Sequence, residues 1–378
     1  MTTQGQRVFA ICSLFSSVFF VGFFDRIEMK HRTDPQSIDS KMGLCCSTPF
    51  LIEKEFKGHT GYVTSVAISS DNTFIISGSF DATIRIWDIE TGDCTKILGG
   101  QKDRVQSVAL SNNNEFIVSG SWDRTVRLWN LKTGGHFADI KTFCGHTSLV
   151  VNSVDISPNN NYIVSSGGKD ETARIWDRKT GACIRTLDVG EHVYSVCFSS
   201  VPDHLPDSEC IFVSDNKNKR LFDIDTGDCI STIQAGSTCG SALSSDGKYI
   251  VGSGKTCIGS VALFNAETSE YIKDLGWHTH FLQTVAITDN NKWIASGGGP
   301  GNDQFVRLWN VETGKQTKLG YADPGVSGGH GYDVSSVVFS VDSKYIVSGS
   351  CDRKVCLWNV ETITCKNVVD TRTANPLE

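Results

Sequence analysis

Several groups in this chain have residue types and spacings that could do chemistry. VGSGKT, from Val251 to Thr256, contains the Gly-Lys-Thr of a phosphate-binding loop. That loop needs another glycine five positions before its last one, and a helix behind it whose N–H groups face the phosphates. Tyr249 stands at the glycine position, and the strand-like run CIGSVALFN follows, so the segment reads as a turn between strands. Fourteen cysteines raise zinc and disulfide chemistry, yet no Cys-x-x-Cys occurs. Cys94, Cys183, Cys229 and Cys365 each fall seven residues after a recurring aromatic, which marks one repeated position filled by a small buried hydrophobe. Arg85, Arg127, Arg174, Arg220 and Arg307 are phased in the same way. A phosphate-binding ring of arginines would come with a basic balance, but Lys+Arg total 35 against Asp+Glu 42, a net charge of -7. These arginines are therefore expected to be outward side chains on a strand, contacting a neighbour. The same balance does not suit a body that lies along nucleic acid.

The phasing itself leads to the elements that must carry these groups. With 378 residues, length alone suggests two or three domains, and 39% hydrophobic with 20% charged residues excludes a disordered chain. GHTGYVTSVAISSDNTFIISGSFDATIRIWD, from Gly58 to Asp88, is echoed from Gly328 to Asn359, with five more copies between. Each unit closes on an aromatic: Trp87, Trp129, Trp176, Phe222, Phe264, Trp309 and Trp358, at intervals of 42 to 49 residues. Asp or Asn follows every one of them, and Thr comes three places later, the chemistry of a turn. Within a unit, runs such as Val63 to Ile68, Phe74 to Gly78, Thr83 to Trp87 and Cys94 to Leu98 alternate at period two, predicting four strands. A single four-stranded sheet cannot bury both faces, whereas seven around an axis bury them on one another.

The recurring frame from Gly-His to Trp-Asp resembles the WD-repeat β-propeller family over roughly residues 50–370. The expected fold is all-β: a seven-bladed propeller of four-stranded antiparallel blades, preceded by a hydrophobic segment within residues 1–49 and followed by a tail over 371–378. The resemblance implies a polar tetrad in each blade. Carried onto this chain, it names His59, Ser77, Asp81 and Trp87 in the first blade. The third supplies His146, Asp170 and Trp176, with Ser165 or Ser166 as the hydroxyl. The sixth supplies His278, Ser296, Asp303 and Trp309, and the seventh His330, Ser348, Asp352 and Trp358. Buried carboxylates need donors, and imidazole and hydroxyl groups provide them. The same residue types could be read as a hydrolase triad, but four near-copies argue against it, since one active site needs one set. The His-x-His of His278 and His280 loses its metal reading because His278 is already placed. No cofactor or metal is expected, and no enzyme activity.

Gln101 replaces His in the second blade. In the fourth, Asn216 stands for Asp and Phe222 for Trp, and VPDHLPDSEC is inserted between its first two strands; the fifth keeps only Phe264. Six good blades and one irregular one is the alternative. For the last blade, two segments compete as outer strand: LIEKEF, from Leu51 to Phe56, and TCKNVVD, from Thr364 to Asp370. The first is expected to take the slot and lock the ring.

Residues 8–24, VFAICSLFSSVFFVGFF, are 17 uncharged and mostly apolar residues, the lower limit for a membrane span. Arg26, Lys30 and Arg32 behind it outweigh Arg7 before it, which predicts a short signal anchor with the propeller in the cytoplasm. The absence of any Asn-x-Ser/Thr sequon agrees with that side. Alternatively, translation starts at Met42. Gly43 with Ser47 then matches an N-myristoylation signal, and Cys45 and Cys46 become palmitoylation positions, giving a dual lipid anchor.

The expected role is a non-catalytic scaffold or adaptor, tethered to a membrane and monomeric as a propeller, that binds a protein or peptide. In the family reading the binding face is built by the loop entering each blade and the turn between its second and third strands. There this sequence places Tyr62, Phe80, Arg104, Trp122, Lys169, Phe281 and Tyr332, the residue types that dominate binding hot spots. A small-ligand or enzymatic role in the central channel is the alternative, although VTSVAI, VQSVAL and VSSVVF offer it mainly small residues. A G-protein-β-like signalling subunit is a third reading.

Overall fold

The computed structural model describes residues 52–132, 139–199, 209–234, 240–254, 259–299, 303–320 and 329–363. Segment 8–24, Gly43, Cys45, Cys46, residues 364–370 and the tail 371–378 lie outside them. Among the described residues, no helix is long and apolar enough to cross a membrane.

Seven four-stranded antiparallel sheets form a seven-bladed propeller. In blade 1, Val63–Ile68 lies innermost, followed outward by Phe74–Ser79, Ile84–Asp88 and Cys94–Leu98. Blades 4 and 5, which lack most of the polar signature, are complete four-stranded sheets. In blade 5, Tyr249–Gly252 and Ser260–Asn265 flank the Gly-Lys-Thr segment, and the first described element after it is a strand. The turn chemistry is local: Thr91 N–H donates to Asp88 Oδ1 at 2.7 Å, and Thr226, Thr268, Thr313 and Thr362 repeat this toward Asp223, Asn265, Asn310 and Asn359.

The joints between blades explain the small residues of the innermost strands. A Cβ on Gly78 would lie 2.7 Å from Val105 Cγ1 of the next blade, so only glycine lets the sheets approach this closely. Gly349 of blade 7 stands in the same relation to Val63 of blade 1. The hydroxyls then stitch across these joints. Ser65 Oγ accepts from Val108 N–H at 3.0 Å, Ser107 from Val154 N–H, Thr284 from Val337 N–H, and Ser336 from Val66 N–H.

Blade 7 is assembled from both ends of the propeller. Lys54–Lys57 pairs with Lys354–Asn359 in the register Glu55↔Cys356 and Phe56↔Val355, so the N-terminal segment takes the outer slot. Phe56 is fully buried, with its ring 5.9 Å from that of Trp87.

Two expectations need correction. The phased cysteines are not buried: Cys94 is half-buried, Cys183 and Cys229 are exposed, and Cys365 lies outside the described residues. The three described ones begin the outermost strand of their blades, and the Sγ of each approaches the carbonyl two residues on at 3.4 Å. The arginines do not point outward. Arg127 and Arg307 are 8% and 4% exposed and bond to Asp123 and Asp303 of their own blades. Arg85, Arg174 and Arg220 are half-buried, and Arg307 also reaches Trp277 O of blade 5, as a contact with a neighbour. Period two already places Arg85 on the same strand face as Trp87, and the guanidinium lies 5.8 Å from that ring.

Replacing Phe56 with Ala should therefore open the closing joint, costing about 3–5 kcal/mol as other buried Phe→Ala changes do. Thermal melts with limited proteolysis check this. An unchanged midpoint would show that the outer strand of blade 7 carries no closing energy.

Candidate interaction face

Two layers occupy the end of the propeller built by the entering loops and second-to-third-strand turns, called the top face below. The inner layer is polar. His59 Nδ1 lies 2.8 Å from Asp81 Oδ2 and its Nε2 2.7 Å from Ser77 Oγ, which also accepts from Trp87 Nε1 at 2.8 Å. His146 bridges Asp170 and Ser165 in the same way, so Ser165, not Ser166, is the hydroxyl of blade 3. His278 joins Asp303 at 3.0 Å to Ser296, and His330 joins Asp352 at 3.1 Å to Ser348, with Trp309 and Trp358 donating to those serines. In blade 7, Cys356 Sγ lies 3.8 Å from His330 Nδ1.

The variant blades solve the same problem differently. Gln101 Nε2 donates to Ser119 Oγ at 2.6 Å, which accepts from Trp129 as well, while Asp123 takes Thr125 and Arg127. In blade 4 the turn-capping carboxylate is Asp215, not a group at Asn216: it accepts from Lys217 and Asn218 N–H at 2.7 Å and lies 3.4 Å from Arg220 Nε. The strand register places Val213 where the other blades carry the tetrad hydroxyl, since Val213 faces Arg220 as Ser77 faces Arg85.

These carboxyls are structural anchors. Burial alone would raise Asp81, Asp170 and Asp303, but the bonds from His59, His146 and His278, with those from nearby Thr residues, outweigh it and hold all three below the ordinary carboxylate range. Burial lowers His278, and the neighbouring Arg307, bonded to Asp303 at 2.8 Å, adds to that direction. Among the described residues no group of three His, Cys, Asp or Glu is placed to hold a metal.

The outer layer is aromatic and cationic. In blades 1, 2, 6 and 7 the entering loop is tied to its blade's second turn by the backbone: Phe80 N–H donates to Tyr62 O, Trp122 to Arg104 O, Gly299 to Phe281 O and Cys351 to Asp333 O, at 2.8–3.1 Å. This brings Tyr62, Phe80, Arg104 and Trp122 into one stack across blades 1 and 2. Tyr62 and Phe80 lie 5.8 Å apart, Phe80 and Trp122 meet edge-on at 5.9 Å, and the Arg104 guanidinium lies 4.7 and 4.9 Å from the Phe80 and Trp122 rings. Trp122 Nε1 is held by Gln106 Oε1 at 2.7 Å. Tyr332 in blade 7 and Phe281 in blade 6 are 65% and 37% exposed, and Lys169 of blade 3 is exposed. Sequence reasoning missed Leu149, 60% exposed on the loop entering blade 3; its place after Gly-His, like that of Tyr62, was the available signal. It also missed Trp277, 69% exposed just before His278.

The family model described as "WD domain, G-beta repeat" matches residues 51–88, 92–130, 137–177, 269–310 and 325–359, just over half of the chain, which therefore belongs to the WD-repeat family. The unmatched part includes blades 4 and 5, where Phe replaces Trp. Among known proteins, the chain is 43% identical over 51 residues to the human F-box and WD repeat domain containing protein 10B. It is 51% identical over 43 residues to the ribosome biogenesis protein BOP1 homolog of Arabidopsis thaliana. It is 48% identical over 44 residues to the small ribosomal subunit protein RACK1 of Candida albicans. These stretches cover 14%, 11% and 12% of this chain and only 7%, 6% and 14% of the relatives.

A carboxyl whose folded pKa lies below its unfolded value stabilises fully above the latter and loses that contribution as pH falls. Stability should accordingly drop as pH falls below about 4, where unfolded Asp protonates. Replacing Asp303 with Ala should cost about 3 kcal/mol at neutral pH by stranding His278 and Arg307. That difference should shrink in acid. Melts followed by tryptophan fluorescence at several pH values measure both, and a gap independent of pH would contradict the anchoring role.

Proposed function

We propose that this WD-repeat protein is a non-catalytic interaction scaffold whose top face, over blades 7, 1 and 2, docks a protein or peptide. The Tyr62–Phe80–Arg104–Trp122 stack carries this reading. Rigid aromatics with a stacked guanidinium lose little entropy on binding and present a large apolar area with a charged edge. The axial channel is less suited to a ligand, because inner-strand hydroxyls such as Ser65 and Ser107 are engaged in stitching the blades. In the same reading the histidines and aspartates are committed to holding the loops, which supports a scaffold over a hydrolase.

Trp122→Ala and Tyr332→Ala are the informative variants. Tyr332 is largely exposed, so its loss should leave the melting midpoint nearly unchanged while weakening partner capture by about tenfold. Comparing affinity-purified partners of the folded double variant with wild type checks this. An identical partner set would remove the top face from the reading.

Membrane tethering through residues 1–49 belongs to the same proposal, by the apolar segment 8–24 or by lipid on Gly43, Cys45 and Cys46. Lys54 starts the outer strand of blade 7 on the side opposite the top face, where its Nζ donates to Ile89 O at 2.9 Å. An anchor upstream would then leave the top face turned away from the bilayer. Mass spectrometry of the native N-terminus should find either an acylated Gly43 or a longer chain. A peptide spanning Arg26 to Lys41 eliminates the lipid form, and a soluble pool with an unmodified Gly43 eliminates both.

A further inference from the structure

The proposed docking face differs in charge from the rest of the molecule. The chain is net -7, yet Lys102, Arg104, Arg124, Lys169 and Arg353 stand exposed on the top loops and turns of blades 2, 3 and 7. None of them has an ion-pair partner among the described residues, whereas on blade 4 Lys217 is paired with Glu191. Asp103, Glu171 and Asp188 are exposed beside them, and Asp333 is half-buried, with burial raising its carboxyl above the ordinary range. The tetrad carboxylates are closed to direct contact with a ligand. Asp81, Asp170 and Asp352 have side chains 3–7% exposed and are bonded to their histidines.

The opposite face carries the acid. Asp71, Glu90, Asp225, Glu267, Glu312 and Glu361 are exposed in its turns. Some cations there are neutralised in place, as Lys132 by Glu115 and Lys344 by Asp342, while Lys179, Lys292 and Lys315 are exposed without an ion pair among the described residues. The top cations are also placed at a cost. Arg124 and Arg353 sit at φ of 70°, a left-handed position that Gly or Asn fills with less strain. Arg104 keeps its guanidinium 4.7 and 4.9 Å from the Phe80 and Trp122 ring centroids and in no ion pair among the described residues, so its N–H fork can meet a carboxylate.

We infer that the top face over blades 7, 1, 2 and 3 takes an acidic peptide segment, its carboxylates on Arg104, Arg124, Lys169 and Arg353 and an apolar side chain against the Tyr62–Phe80–Trp122 stack. This rests on the docking role proposed above and adds the chemistry of the partner. The charge pattern selects against basic segments as well, since like-charge contacts would face them across the same loops.

A random peptide display library selected on the immobilised full chain, with the winners titrated by fluorescence anisotropy, tests it. Winners should be enriched in Asp and Glu and carry an apolar anchor. Arg104→Gln should weaken them by about tenfold, Arg104→Lys by less, and raising salt from about 0.05 to about 0.5 M should weaken them several-fold. Arg104 is exposed, so these variants fold. Winners without acidic enrichment that are lost on Tyr332→Ala overturn the acidic partner and leave the docking face standing. Winners indifferent to Arg104, Trp122 and Tyr332 alike overturn the docking face itself. A selection that yields no winners overturns the acidic-peptide inference.

Discussion

Each four-stranded sheet here has two apolar faces and no partner within its own unit, and everything else in the molecule follows from that. The faces can be buried only against the blades on either side, so the repeat has to supply close contact at every joint. Glycine at Gly78 and Gly349 lets Val105 and Val63 press against the neighbouring backbone. Hydroxyls on Ser65, Ser107, Thr284 and Ser336 satisfy backbone N–H groups across the joint that would otherwise be buried without partners. A ring of such joints has no terminal cap as a linear array does, so its last joint must be made by chain from the other end. Lys54–Lys57 makes it, placing Phe56 beside Trp87.

Much of this was legible because the signals are local or periodic. In six blades the turn after the closing aromatic is an Asp or Asn side chain capping an N–H three residues on, which needs no tertiary context. Blades 4 and 5 were legible from alternation together with the closing Phe222 and Phe264 and the turn residues after them, even without Trp or a full tetrad, because burial of the sheet faces decides the fold and the tetrad only refines it. What period counting did not deliver was exposure at the outer strand. The third-to-fourth pairing shifts register between Ile86 and Trp87, so Trp87 faces Cys94 and not the residue a straight ladder predicts. The shift recurs at Trp129, Trp176 and Phe222. Such a bulge cannot be counted from spacing, and it left Cys183 and Cys229 exposed where small buried hydrophobes were expected. The inward turn of Arg127 and Arg307 was available from their distance of two residues to Trp129 and Trp309, since alternate residues share a face. The aromatic stack was legible only as a set of exposed types; its contiguity needed blades 1 and 2 side by side.

The two layers of the top face are coupled through the same short loops. In blade 1 the loop from His59 to Tyr62 presents His59 inward to Asp81 and Tyr62 outward to Phe80. Thr60 N–H donates to Asp81 at 3.0 Å, so the backbone between the two layers is pinned. In blade 2, Lys102 N–H donates to Asp123 at 3.0 Å, and Arg104 N–H caps onto Asp103. A loop held at this many points loses little freedom when a partner arrives, so the cost of ordering is met during folding and not during binding. Blade 4 shows the contrast. It lacks the histidine–aspartate link, and its top loops expose a Lys217–Glu191 pair that cancels its own charge. The stacked aromatics and the unpaired cations thus fall on blades whose loops the buried carboxylates fix, and in the proposed docking role the structural tetrads act only by holding those loops.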